Sequence, residues 1–197
     1  MGFLVRVLKI LLVLVLLCAV VLWFASRRGD RGYIAQEVTI DRPAPMVFRW
    51  ITSDDLLRRW ISDLVKLEKT GPAGPAQASS VYRIDEWIVK RRVVFEVKVI
   101  RTIPNQELEL AVQSAVGSTD SYTGTAHFKL FPNGDYTKLE FTSQTDFQSF
   151  GDQIVEPILT YATRIKVQED LTRLKLMMEA EPPTATQSAF RGRSTGK

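Results

Sequence analysis

Thiol and imidazole chemistry is nearly absent from this chain. Cys18 is the only cysteine and His127 the only histidine among 197 residues. That excludes an intrachain disulfide, a Cys/His zinc site and a Cys–His nucleophilic pair, but not a metal site made of carboxylates. No phosphate-binding glycine loop, dinucleotide fingerprint or calcium-loop pattern occurs either. Charge of a single sign is also missing, since 26 Lys and Arg stand against 22 Asp and Glu. The basic residues are dispersed, apart from Arg27-Arg28-Arg31 and Lys90-Arg91-Arg92. Solvated charge and attraction to anionic lipid headgroups account for that pattern better than nucleic acid does. No cofactor, metal or nucleic-acid partner is therefore expected, and the oligomeric state is left open.

What the chain has instead is a long apolar run. Ile10 to Ala25 contains sixteen residues without a charge or a strong hydrogen-bonding side chain. As a helix it is about 24 Å long, short of a hydrocarbon core of about 30 Å. Including residues from Phe3, with Arg6 and Lys9 snorkelling to the headgroups, lengthens it to about 34 Å. The expectation is an uncleaved, single-pass transmembrane anchor that meets the bilayer through residues 3–25. Trp23 and Phe24 suit the interface. A cleaved signal would have a shorter apolar stretch and small residues before the cut, which Leu22-Trp23-Phe24-Ala25 does not provide. A buried helix is the third reading. Arg6 and Lys9 on one side nearly balance Arg27, Arg28 and Arg31 on the other, so charge does not orient the span. The tendency of short N-terminal tails to stay in the cytoplasm places the domain outside.

The rest of the chain reads as one α+β domain. Residues 1–27 form the anchor, 28–32 a linker, 33–180 the domain and 181–197 a disordered tail rich in Thr, Ser, Ala, Gly and Arg. Tyr33 to Ile40 reads as a strand stopped by Asp41-Arg42-Pro43. Pro45 opens a short helix with Met46, Val47, Trp50 and Ile51 on its apolar stripe. Ser53-Asp54-Asp55 caps a second one that buries Leu56, Leu57 and Trp60. Strands follow over 65–70, 80–88, 93–101, 107–114, 122–131 and 136–147, with a hairpin turn at Pro132-Asn133-Gly134-Asp135. A helix over 152–178 closes the series. Its apolar side is read as Ile154, Ile158, Tyr161, Ile165, Leu171, Leu174 and Met178, and its wet face as Glu169, Asp170, Arg173 and Lys175. Pro157 belongs near its first turn or marks a kink.

Three segments carry a family resemblance. Val38-Thr39-Ile40-Asp41-Arg42-Pro43-Ala44-Pro45-Met46-Val47-Phe48 resembles the opening strand and helix of the START-like, or SRPBCC, superfamily of polyketide cyclases and lipid-transfer proteins. Asp54 to Trp60 is similar to its second helix, and Gln168 to Lys175 to the end of its C-terminal helix. The resemblance spans about residues 33–180 and implies a helix-grip fold: an antiparallel sheet wrapped on the long C-terminal helix. It also implies an apolar cavity between them that takes a lipid or other hydrophobic small molecule.

Candidate cavity residues are Trp60, Tyr82, Ile84, Trp87, Phe95, Val97, Leu110, Phe128, Phe141, Tyr161 and Ile165. Each large aromatic among them could equally be ordinary core. No catalytic residue is assigned and an enzyme is not the favoured reading. Were there catalysis, Tyr82, Arg83, Asp85 and Glu86 are the polar groups to supply it. His127 alternates with Ala126 and Phe128 and is read as a surface histidine. The functional expectation is a membrane-anchored binder of a hydrophobic, lipid-like ligand. The alternatives are a cyclase-like enzyme using polar residues in the cavity and a membrane-tethered protein-interaction module.

Overall fold

The structure, a computed structural model, describes residues 2–26, 32–70, 75–88, 90–118 and 121–181, without the side chains of 2–5, 21–26, 150, 152 and 154. The expected tail from 182 onward, and the linker apart from Gly32, lie outside these residues.

Helix α1 (Gly2–Ser26) comes first. Strand β1 (Tyr33–Ile40) leads into α2 (Ala44–Thr52) and α3 (Asp54–Trp60). Six strands follow: β2 (Leu64–Thr70), β3 (Val81–Ile88), β4 (Arg91–Ile103), β5 (Glu107–Ser114), β6 (Tyr122–Asn133) and β7 (Tyr136–Phe147). Helix α4 (Phe150–Ala180) ends the described chain. The seven strands form one antiparallel sheet in the order β1-β7-β6-β5-β4-β3-β2. Strands β2 to β7 are joined neighbour to neighbour. Only β1 crosses over, through the two short helices and β2, to the far edge.

Local chemistry accounts for the punctuation. Pro45 lies in the first turn of α2, where its missing N–H costs nothing. Ser53 takes the N-cap of α3 as expected, but through its carbonyl, which receives the Leu56 and Leu57 N–H groups, and not through its hydroxyl. The β3–β4 connection turns at Lys90 with φ 61°, so Arg91 and Arg92 already belong to β4.

Side chains from β1, α2, α4 and the sheet's inner face make the core. Ile40, Val47, Leu139, Leu174 and Met178 are fully buried. Trp60 donates its indole N–H to the Trp50 carbonyl at 3.1 Å, fastening α3 to α2. Helix α4 runs alongside β1 in the same direction. Lys175 donates to the Thr39 carbonyl (2.6 Å) and the Asp41 N–H to Glu179 (2.8 Å). The Arg42 guanidinium donates to the Glu179 and Glu181 carbonyls at 2.9 and 2.6 Å, satisfying orphan acceptors at the helix C-terminus.

Gly32 marks where the chain enters the domain. Its φ is +64°, its carbonyl accepts the Thr145 N–H, and an added Cβ would lie 2.0 Å from the Thr145 oxygen. Gly32→Ala meets both a left-handed backbone and a backbone clash. It is expected to lose about 1–3 kcal/mol in urea unfolding, with β1 released from the end of β7.

The side chains of α1 are described from Arg6 to Val20, and every one of them is exposed. Among the described residues, no helix is long and apolar enough to cross a membrane.

Candidate functional site: a cavity under the sheet

The cavity follows from how α4 meets the sheet. The helix packs chiefly on β1, with lighter contact to β7 and β3. A curved sheet touched mainly along one edge leaves the inner face of its central strands partly uncovered. The resulting space is about 310 Å³, at the lower end of ligand-pocket sizes.

Strand alternation decides what faces it. Tyr82, Ile84, Glu86 and Ile88 point inward from β3, and Val93, Phe95, Val97 and Val99 from β4. Leu108, Leu110 and Val112 come from β5, Ala126 and Phe128 from β6, and Phe141, Ser143, Thr145 and Phe147 from β7. Leu159, Thr163, Lys166, Val167, Asp170 and Leu171 of α4 form the opposite wall, and Ile51, Leu57 and Trp60 close the end beneath α2 and α3. Phe128 and Phe141 stack at 4.8 Å, tilted by 56°. The Tyr82 hydroxyl donates to Asp54 at 3.0 Å; burial first, then that carboxylate, pushes its pKa far up.

Among the candidates, Trp60, Tyr82, Ile84, Phe95, Val97, Leu110, Phe128 and Phe141 line this space. Trp87, Tyr161 and Ile165 do not. Trp87 is 46% exposed, because an odd-numbered residue of β3 cannot share a face with Tyr82 and Ile84. Tyr161 and Ile165 are 64% and 41% exposed. Six residues separate Ile165 from Leu171, which on a helix is about 240° of rotation, so the two apolar series lie on different faces.

The same phase error hid the one charged cluster in the cavity. Asp170, assigned to the wet face, is buried, and it lies four residues before Leu174 on the inner side. Lys166 Nζ is 2.7 Å from Asp170 Oδ2 and 3.1 Å from Glu86 Oε2. The second Asp170 oxygen accepts the Ser62 N–H at 2.7 Å. Two carboxylates thus share one ammonium in a chamber whose remaining lining is mainly apolar, with Arg91, Ser143, Thr145 and Thr163 among its polar members. Arg83 and Asp85 fall on the other face of the sheet. Arg92 Nε donates to Asp85 at 2.8 Å and, with its other nitrogen, holds that carboxyl below its usual range despite burial.

Burial pushes the Glu86 carboxyl up, and Lys166 only partly reverses it. Burial also works against the Lys166 ammonium, but Glu86 and Asp170 outweigh it and hold its pKa above the usual value. A carboxyl with a raised folded pKa contributes stability that is present below the unfolded value and lost as pH rises through the folded one. Glu86→Gln removes that loss. The stability of Glu86→Gln relative to the wild type is expected to grow between about pH 4 and 7; urea midpoints across that interval test it.

His127 lies on the outer face with Glu107 and Glu109, a triad with metal-like proximity. The Arg101 guanidinium already bridges both carboxylates at 2.6 and 3.2 Å, so a cation occupies that position.

An antiparallel sheet curled over a long C-terminal helix, with an apolar chamber between them, defines a helix-grip protein of the START-like class. The chain belongs to the family described as polyketide cyclase / dehydrase and lipid transport, which matches residues 32–179. Solved structures share the fold at low identity. A conserved protein of Geobacillus kaustophilus has a TM-score of 0.62 at 16% identity, covering 75% of this chain and 95% of that one. Protein CV1439 of Chromobacterium violaceum has a TM-score of 0.60 at 13% identity, covering 76% and 99%. TTHA0849 of Thermus thermophilus has 0.56 at 17%, covering 76% and 99%. No curated protein matches the chain in sequence at a significant level.

Proposed function

We propose that this protein is a membrane-anchored module that holds a hydrophobic small molecule or lipid in the chamber between the sheet and α4. The observation that carries the reading is the lining: apolar on nearly every side, with one charged cluster at Glu86, Lys166 and Asp170. Apolar area supplies affinity at about 25 cal/mol per Å², and the cluster orients the ligand. With two carboxylates against one ammonium, it favours a polar end that donates hydrogen bonds over a fatty-acid carboxylate.

The anchor is part of the same proposal. Helix α1 exposes an unbroken apolar surface from Ile10 to Val20, a contiguous patch that soluble monomers rarely leave uncovered. Lipid is the natural cover for that surface.

Native mass spectrometry of the full chain released from membranes tests ligand binding. The expected result is a bound adduct that dissociates on heating and partitions into organic solvent. An unliganded mass from every preparation, with no uptake of added amphiphiles, overturns it.

Glu86, with its raised carboxyl inside the cavity, favours a second reading: a cyclase-like enzyme using that group as an acid or base. It predicts that Glu86→Gln abolishes turnover of a bound ligand while leaving its binding intact.

A further inference from the structure

We propose that the sheet edge at which the chain enters the domain is a bilayer-docking face that presses the cavity mouth against anionic headgroups. This rests on the anchored reading above and adds which face of the domain meets the membrane.

The strand registers define that edge. Tyr33, at the start of β1, pairs with Gln144 near the end of β7, and Phe147 at that end pairs with Tyr122 at the start of β6. Thr123 pairs with Gln113 near the end of β5, and Ile88 at the end of β3 pairs with Arg91 at the start of β4. All these termini therefore lie along one rim. Helix α4 reaches the same rim: Arg164 donates to the Tyr33 carbonyl at 3.4 Å, so residues before it extend past the start of β1. The cavity reaches this side, since Tyr122, Phe147, Ile88 and Arg91 are among its lining residues.

Three kinds of side chain gather here. Val116, just past the end of β5, is 85% exposed, the most exposed large apolar residue among those described. Ile158 and Tyr161 stand out from the overhanging part of α4, with Ile158 65% exposed. Lys90, Arg91 and Arg92 form a basic turn at the β3–β4 corner, with Trp87 exposed beside it. Asp85 engages Arg92, and the exposed acids of this rim among the described residues include Asp146 near the end of β7 and Asp63 just before β2, whose carbonyl accepts the Trp87 N–H. Exposed aliphatic tips, interfacial aromatics and adjacent cations are the composition of a surface that sits at a headgroup boundary.

Tether length makes bilayer the occupant instead of a protein. Six Cα steps join Ser26 to Gly32, which span at most about 22 Å. That is less than the roughly 40 Å width of a domain this size. With α1 in lipid, the rim bearing Gly32 and Tyr33 stays beside the headgroups, while the opposite β6–β7 hairpin is held away from them.

The test uses the full chain in lipid nanodiscs, with Cys18→Ser as background. A polarity-sensitive fluorophore is attached at Val116→Cys or, as the distal control, at Asp135→Cys in the β6–β7 hairpin. At position 116 the expected result is blue-shifted emission and at least about twofold weaker quenching by aqueous iodide than at 135, the shielding of a group at the interface. The protection should increase when phosphatidylglycerol is added to phosphatidylcholine. Lys90→Glu with Arg91→Glu should abolish that increase. Equal quenching at both positions, in a chain that co-purifies with the discs, overturns docking and leaves the anchor standing. Failure of the chain to enter discs at all overturns the anchor itself, and docking with it.

Discussion

Lys166→Met is expected to destabilise the domain by about 3–5 kcal/mol, because it leaves two buried carboxylates without their counter-charge. Glu86 and Asp170 both lie within 3.1 Å of the ammonium, and both are buried. Desolvation already pushes the Glu86 carboxyl up, and without Lys166 it rises further. The penalty should therefore shrink in acid, as the Glu86 carboxyl takes up a proton. Adding Glu86→Gln and Asp170→Asn to Lys166→Met should recover most of the loss, since the amide oxygen at 170 still accepts the Ser62 N–H. Urea unfolding of the single and triple variants at neutral and acid pH measures all three effects. A single variant as stable as the wild type would show that the cluster is hydrated and not buried.

Plugging the chamber should cost at least tenfold in affinity for any apolar ligand. Val112→Trp is the first choice, because on the β6 side its cross-strand partner is Gly124, which presents no side chain to the indole, although Val97 flanks it on β4. Thr163→Trp fills the same space from α4. Two plugs from opposite walls separate occlusion from misfolding, since overpacking at one site costs about 1–3 kcal/mol without predicting the other. Displacement of a fluorescent amphiphile from each folded variant is the measurement. Undiminished binding in both would place the ligand elsewhere.

Most of the fold was legible residue by residue. In β4, Val93, Phe95, Val97 and Val99 alternate with Val94, Glu96, Lys98 and Ile100, so its half-buried strand character was visible before any neighbour was known. Pro45 and Ser53 announced two helix starts, and Asn133-Gly134 announced the last hairpin. Alternation within β3 also contained the error at Trp87: Tyr82 and Ile84 inward requires residue 87 outward. Inside α4 the apolar pattern is ambiguous, because Ile158, Tyr161 and Ile165 form a stripe as regular as the buried one. Periodicity reveals a face but not what covers it. Asp170, read as solvated charge, turns inward because Lys166 and the Ser62 N–H give its carboxylate partners there.

The family resemblance implied the helix-grip class, and the sequence alone determined the apolar N-terminal helix and the order of strands and helices. Those properties depend on neighbours within a few residues along the chain, where period and turn chemistry act directly. Only the tertiary structure decided which side of α4 faces the sheet, that Glu86 meets Lys166 and Asp170, and that Val116 and the basic turn share a rim with Gly32, where the chain enters the domain. Each of these joins residues far apart in sequence, and their positions follow from packing a curved sheet against one helix.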